Sequence, residues 1–169
     1  MTLPSRTYAI LLAGTCLWCM LILLPVAQVF QSPALSAVAI AADRAFATVC
    51  HQIDSRSFHI MGFRLGVCSR CASIYGGFLV GILFWRIALR RPARNNLILW
   101  GIALVPMLAD VILDGAEIYS GGSVTRIITG GWFGIFAGVI LTPLFIQGWT
   151  GLTSAIIHQS KKAYESATE

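Results

Sequence analysis

The sequence predicts an all-α, polytopic membrane protein of four transmembrane helices plus an external amphipathic helix. Three observations predict it. Of 169 residues, 57% are apolar and 11% charged, whereas soluble domains carry roughly a quarter charged residues. A soluble chain needs a polar coat over its core, and this composition cannot supply one. The apolar residues are gathered into runs close to the roughly 20 residues that cross a bilayer. Trp85, Trp100 and Trp149 stand near the ends of those runs, where interfacial aromatic belts lie. One membrane domain over residues 1–169 is the natural count.

The first span covers about residues 8–30, with no charge from Tyr8 to Phe30. That run exceeds the roughly 7–15-residue core of a signal peptide, and the chain begins at Met1, so an uncleaved span is expected. Pro25 sits near its far end, where a missing hydrogen bond is tolerated. Ser32-Pro33 then reads as an N-cap with proline at the first helical position. Leu35, Val38, Ala39, Ala42, Phe46 and Val49 recur at helical spacing, which predicts an amphipathic helix over about 33–49, in the interface or against the bundle. Residues 50–71 read as a polar external loop. Further spans are expected over about 72–89, 97–114 and 125–147, followed by a short soluble tail with Lys161 and Lys162.

The net charge of +5 comes from basic residues flanking apolar runs. It therefore reads as orientation in the membrane, and no nucleic-acid partner is expected. Arg86, Arg90, Arg91 and Arg94 crowd the connection between the second and third spans, which predicts that this connection is cytoplasmic. Four crossings then put both termini in the cytoplasm of an inner-membrane protein. Ser73, Gly77 and Gly81 in the second span, and Gly130, Gly134 and Gly138 in the fourth, form stripes of small residues. Such stripes let helix backbones approach closely, so these two spans are expected to pack together, running in the same direction.

This threading delivers chemistry to one side. Cys68-Ser-Arg-Cys71 has the two-residue gap that lets both sulfurs reach one tetrahedral ion, and Cys50 and His51 lie upstream. Cys50, His51, Cys68 and Cys71 are therefore the candidate ligands for zinc or another transition metal, with His59 as a spare. Adjacent side chains diverge, so one of Cys50 and His51 is expected to ligate and the other to support. Ala72 follows Cys71, which excludes the haem-attachment signature. The competing reading is redox, because thiols on an oxidising face pair and Arg70 between them favours a thiolate. Cys16 and Cys19, inside the first span, read as packing residues.

Asp110 and Asp114 are four residues apart and share a helical face. They are candidates for acid–base work or for a hard cation, unless they simply pair with Arg70 or Arg126. Arg56, Arg70 and Arg126 are candidates for holding an anionic substrate, because guanidinium groups suit bidentate contacts with phosphate or carboxylate. Their structural alternative is ion pairing with Asp43, Asp54, Asp110 and Asp114. No nucleophile elbow, phosphate loop or His-Glu-x-x-His helix is present.

Cys50-His51-Gln52, Arg56-Ser57-Phe58, the run from Leu65 to Phe78, Asp114-Gly115 and the run from Arg126 to Gly130 resemble a family of small prokaryotic polytopic membrane proteins of unknown function. Its signature is Cys-His-Gln … Cys-x-Arg-Cys. The resemblance covers roughly residues 45–138. It departs at Ala72 or Ser73, where similar proteins usually carry glycine. It implies a membrane fold and brings no activity.

The leading expectation is a membrane enzyme with a metal-stabilised external site, acting on an anionic or isoprenoid-type lipid. A transition-metal binding or transport protein is the first alternative. A thiol–disulfide protein or accessory subunit of a membrane complex is the second. Membrane lipids, and an oligomeric or complex partner, are the expected associations.

Overall fold

The computed structural model describes residues 5–88, 96–116, 118 and 122–167. The side chains of Arg86, Arg90, Arg91, Arg94, Lys161 and Lys162 lie outside the described residues, and with them the charges of the orienting connection and of the tail. The chain is mostly helical: α1 Ser5–Leu23, α2 Pro33–Phe46, α3 Ser69–Ala88, α4 Asn96–Gly115 and α5 Ser123–Ala167. Among the described residues, three helical stretches are long and apolar enough to cross a membrane: Arg6–Phe30, Ile98–Gly115 and Ser123–Ile156. The apolar part of α3, Ser69–Trp85, is shorter.

Several boundaries differ from expectation, each for a local reason. The first span changes at Pro25 into a 3₁₀ turn, Leu24–Phe30, because proline has no N–H to continue the α ladder. α5 does not stop near residue 147 but runs for 45 residues, about 68 Å. Ala155, Ile156, Lys161 and Ala163 contain no breaker, and the short soluble tail is a helical extension. Trp85 is 6% exposed and packs with Val139, Ile146 and Tyr8, so it belongs to the core and not to a surface belt. α2 begins as expected, with Ser32 as N-cap and Pro33 following. Only Ala39 and Phe46 of its apolar stripe are buried, while Leu35, Val38 and Val49 stay exposed.

The expected loop at 50–71 contains a β-hairpin, so the fold is not purely α-helical. β1 Ser57–Ile60 pairs antiparallel with β2 Phe63–Cys68, in the register Ile60↔Phe63 and His59↔Arg64. Two residues connect the strands, and both have positive φ: 51° at Met61 and 84° at Gly62. Such a turn matches the strands' own twist. Methionine is an unusual occupant of its first position, which hides the turn in the sequence. Gly66 lets the hairpin press on the end of α1. A Cβ there would lie 2.8 Å from the Phe46 ring and 3.3 Å from the Ile22 carbonyl.

The two glycine stripes meet as expected. Gly130 packs on the Arg70 carbonyl, Gly134 on Ile74 and Phe78, and Gly138 on Phe78 and Gly81. The constant offset shows that α3 and α5 run parallel. A Cβ on Gly134 would lie 2.9 Å from the Phe78 amide nitrogen and 3.0 Å from the Ile74 carbonyl carbon. Both are backbone atoms that no rotamer change can move. α1 runs antiparallel to α3, with Tyr8 donating to the Ile82 carbonyl (3.2 Å) and Cys19 packed on the Tyr75 carbonyl (3.8 Å). Trp18 fixes that end of α1 edge-on to Phe46 and Tyr75.

α4 leans on α5 through a specific hydrogen bond. Pro106 lacks the N–H that would reach the Ile102 carbonyl four residues back. The indole of Trp132 donates to that oxygen instead, at 3.1 Å. In hydrocarbon an unmet carbonyl is costly, so this contact anchors α4 where its own ladder is broken.

Candidate metal centre and the arginine cluster beside it

The threading brings the starts of α3 and α5 and the end of α4 to the same end of the bundle as the hairpin. Cys68 is the last residue of β2, and Cys71 lies in the first turn of α3. Cys50 follows α2, its amide bonded to the Phe46 carbonyl at 3.0 Å. The three sulfurs lie within 4.8 Å of one another. Tetrahedral zinc thiolates hold sulfurs at about 2.3 Å from the ion, so this donor set can take a metal ion with small side-chain adjustment. Cys50 is buried and the other two are half-buried. The Cys68 amide points at the Cys50 sulfur, 3.3 Å away. Hydrogen bonding from the Cys71 thiol, opposed by burial and helped by Cys50, pushes the Cys68 thiol down to about 5.

The sequence-derived ligand set had four members, and the structure brings three of them together. His51 is exposed and stands outside the three-sulfur group, though it lines the adjoining cavity. This follows from the divergence of adjacent side chains. The spare candidate, His59, pairs with Asp54 at 3.1 Å on the exposed hairpin. Cys16 is exposed on α1 and Cys19 packs on α3, away from the group.

Sequence reasoning missed what holds Cys50 in place. Gln52 adopts φ 48°, and its amide donates to the Asp43 and Gly66 carbonyls at 2.8 and 2.7 Å. Arg64 reaches across to both Asp43 oxygens (3.0 and 3.1 Å) and to the Gln52 carbonyl. α2, the segment 50–52 and β2 are thereby joined through one polar knot. A glutamine directly after the Cys-His pair was the available signal.

The arginines and aspartates interlock. Arg126 donates to Asp114 at 2.7 Å, Arg56 to its other oxygen at 3.3 Å, and Arg70 to Asp110 at 2.5 Å, with Arg70 also 3.7 Å from Asp114. Thr129, one turn beyond Arg126, donates to Asp110 at 3.2 Å; its position on the Arg126 face was the sign that it belonged here. Asp110, Asp114 and Arg126 are 7%, 8% and 8% exposed. Buried charges of this kind persist only when paired and hydrogen-bonded. The ion-pair alternative for the two aspartates therefore describes their contacts, and acid–base work would require one of them to release a guanidinium.

A cavity of about 380 Å³ adjoins both groups. Its wall includes Cys50, Cys68 and Cys71 on one side and Arg56, Arg70 and Arg126 on the other. The Nε atoms of Arg70 and Arg126 are buried and have no hydrogen-bond partner.

Comparison with known proteins agrees with the resemblance seen in the sequence. Residues 50–140 match a family described as "Predicted membrane protein (DUF2085)". The uncharacterized protein MJ1492 of Methanocaldococcus jannaschii is 32% identical over 107 residues, covering 60% of this chain and 67% of that protein. No solved structure matches. The matched stretch holds the three-cysteine group, the arginine cluster and the α3–α5 contact, and the chain belongs to this family of membrane proteins.

Proposed function

We propose that this protein is a membrane-embedded zinc–thiolate protein whose metal site opens onto a pocket for an anionic lipid headgroup. One observation carries the reading: three cysteine sulfurs within 4.8 Å of one another line the same cavity as three arginines. Three protein ligands with a free fourth position are the pattern of catalytic zinc, whereas structural zinc is closed by four. The three cysteines and His51 all line the cavity, so an ion held by the sulfurs would be reachable from it. When bound, the ion supplies a Lewis acid there.

The chain's own residues do the rest. Asp110 and Asp114 hold the guanidiniums of Arg70 and Arg126 in fixed directions, and Arg56, Arg70 and Arg126 receive the anion. Support for a fourth crossing by α3 comes from its parallel course along α5. In this reading the site faces the extracytoplasmic side, both termini are cytoplasmic and the protein sits in the inner membrane, as the arginine-rich connection at 86–94 suggests. Metal carriage by the same thiolates, without catalysis, fits the donor set but leaves the arginines without a task.

The test is metal analysis of the full chain purified in detergent. The expectation is one zinc per chain, lost in Cys50→Ser, Cys68→Ser and Cys71→Ser and retained in His59→Ala. A metal-free protein whose intact mass shows a disulfide among these cysteines overturns the reading. It would favour thiol–disulfide exchange, to which the acidic Cys68 thiol is also suited.

A further inference from the structure

A second cavity, of about 580 Å³, lies along the same helix as the first. It is lined by Ile10, Gly14 and Trp18 of α1, Phe78 of α3, and Phe133 and Ala137 of α5, among other apolar residues. Its volume falls in the usual range for small-molecule sites. The hydroxyl of Thr15, on its wall, is occupied by the Leu11 carbonyl at 2.9 Å. The exposed wall is almost wholly apolar.

The two cavities follow one another on α3. Arg70 and Cys71 line the arginine-rich cavity, and Ile74 and Tyr75, four residues on, line the apolar one. Residues four apart share a helical face, about 6 Å along the axis. On α3, the lining of the arginine cavity and that of the apolar trough are thus about one turn apart. The arginine cavity carries three guanidiniums against two carboxylates, and Arg126, 8% exposed, keeps an unpartnered Nε. Guanidinium N–H donors left over from the ion pairs suit the oxygens of an anionic head.

We infer that the two cavities form one site for an amphiphile: a phosphate-bearing lipid whose head lies among Arg56, Arg70 and Arg126 and whose hydrocarbon chain lies in the trough. This rests on the headgroup reading of the arginine cavity given above. Gly14 offers a way to close the trough without disturbing the fold, because a Cβ built there has no atom within 4 Å.

The experiment uses the full-length protein in phosphatidylcholine vesicles, with a long-chain alkyl phosphate bearing a mid-chain diazirine as probe. Photolabelling should saturate, map to peptides containing Gly14, Phe78 or Phe133, and exceed labelling by the matching alkyl alcohol. Gly14→Leu should lower it by roughly tenfold, a difference within reach of one lost apolar contact surface. Gly101→Leu, also in open space but off the trough, should not. Gly14→Ala serves as the milder variant, and the wild-type peptide map stands on its own. Equal labelling by the alcohol, labelling unaltered in Gly14→Leu, or full displacement by inorganic phosphate would each overturn the inference. Zinc is measured on the same samples. Zinc present with the trough unlabelled sinks this inference alone, and zinc absent from wild type sinks the metal reading whatever the labelling.

Discussion

Asp114→Asn is the sharpest test of the arginine cluster. The carboxylate is 5% exposed and accepts from Arg126, itself 9% exposed, and from Arg56. Removing the charge leaves a buried guanidinium uncompensated, which costs about 3–5 kcal/mol where one member of a buried pair is deleted. Two features pull toward the lower end. Asparagine still offers an oxygen at the position 2.7 Å from Arg126, and Arg56, 42% exposed, can turn to water. The expectation is therefore a drop of about 6–12 °C in Tm for a chain of this size. Thermal unfolding in detergent, followed by tryptophan fluorescence, reads it. Asp54→Asn is the matched control, because its pair with His59 is 78% and 40% exposed; exposed pairs contribute about 0–1 kcal/mol. Replacing both partners, as Asp114→Leu with Arg126→Met, should recover most of the loss, since apolar residues of similar volume often equal a buried pair. A Tm drop no larger than that of Asp54→Asn would mean that the Asp114 carboxylate is hydrated, and the cluster as described would be wrong.

Two further outcomes follow from the geometry. Gly134→Ala forces a methyl against the α3 backbone, an overpacking cost of about 1–3 kcal/mol that the better helix propensity of alanine offsets by only about 0.8–1.0 kcal/mol. Gly76→Ala, with open space at its Cβ, should instead stabilise, so equal melting shifts in the two variants would refute the packing register. In metal-stripped protein the Cys68 thiolate, with its pKa lowered to about 5 from the ordinary 9.0, persists above that value and is lost only as pH falls through it. Iodoacetamide labelling of Cys68, read by peptide mass spectrometry, should thus have its midpoint near 5. Cys71→Ala should raise that midpoint, because the Cys71 thiol is the main cause, and a midpoint near 9 in the unaltered chain would remove the hydrogen-bonded thiolate.

How much of this was legible in the sequence depends on the range of the interaction. Spacing along one helix was readable. The stripes at Gly77 and Gly81 and at Gly130, Gly134 and Gly138 announced a close parallel contact, since only small residues permit it. The Ser32-Pro33 helix start was readable for the same local reason. The hairpin was not. Its strands carry His59 and Arg64, which read as loop, and its turn places methionine where positive φ is needed. The length of α5 was not either, because a helix leaving an apolar run meets no breaker that would mark its end.

The site itself was half legible, and the division has a physical cause. Cys68 and Cys71 are fixed by local geometry, a strand end and the first helical turn after it, so their spacing already implied convergence. Cys50 reaches them only because Gln52 and Arg64 tie the end of α2 to β2 through Asp43 and the Gly66 carbonyl, and no periodicity encodes that tie. Arg70, Asp110 and Arg126 meet for yet another reason. Two parallel helices and one antiparallel to them present their charged ends on one side, so the threading alone gathers these groups. Burial then makes each charge depend on the others. The same polar end that could not be left in hydrocarbon without pairing is therefore the end where a ligand finds directed donors, and the apolar trough one turn below it is where such a ligand's chain would lie.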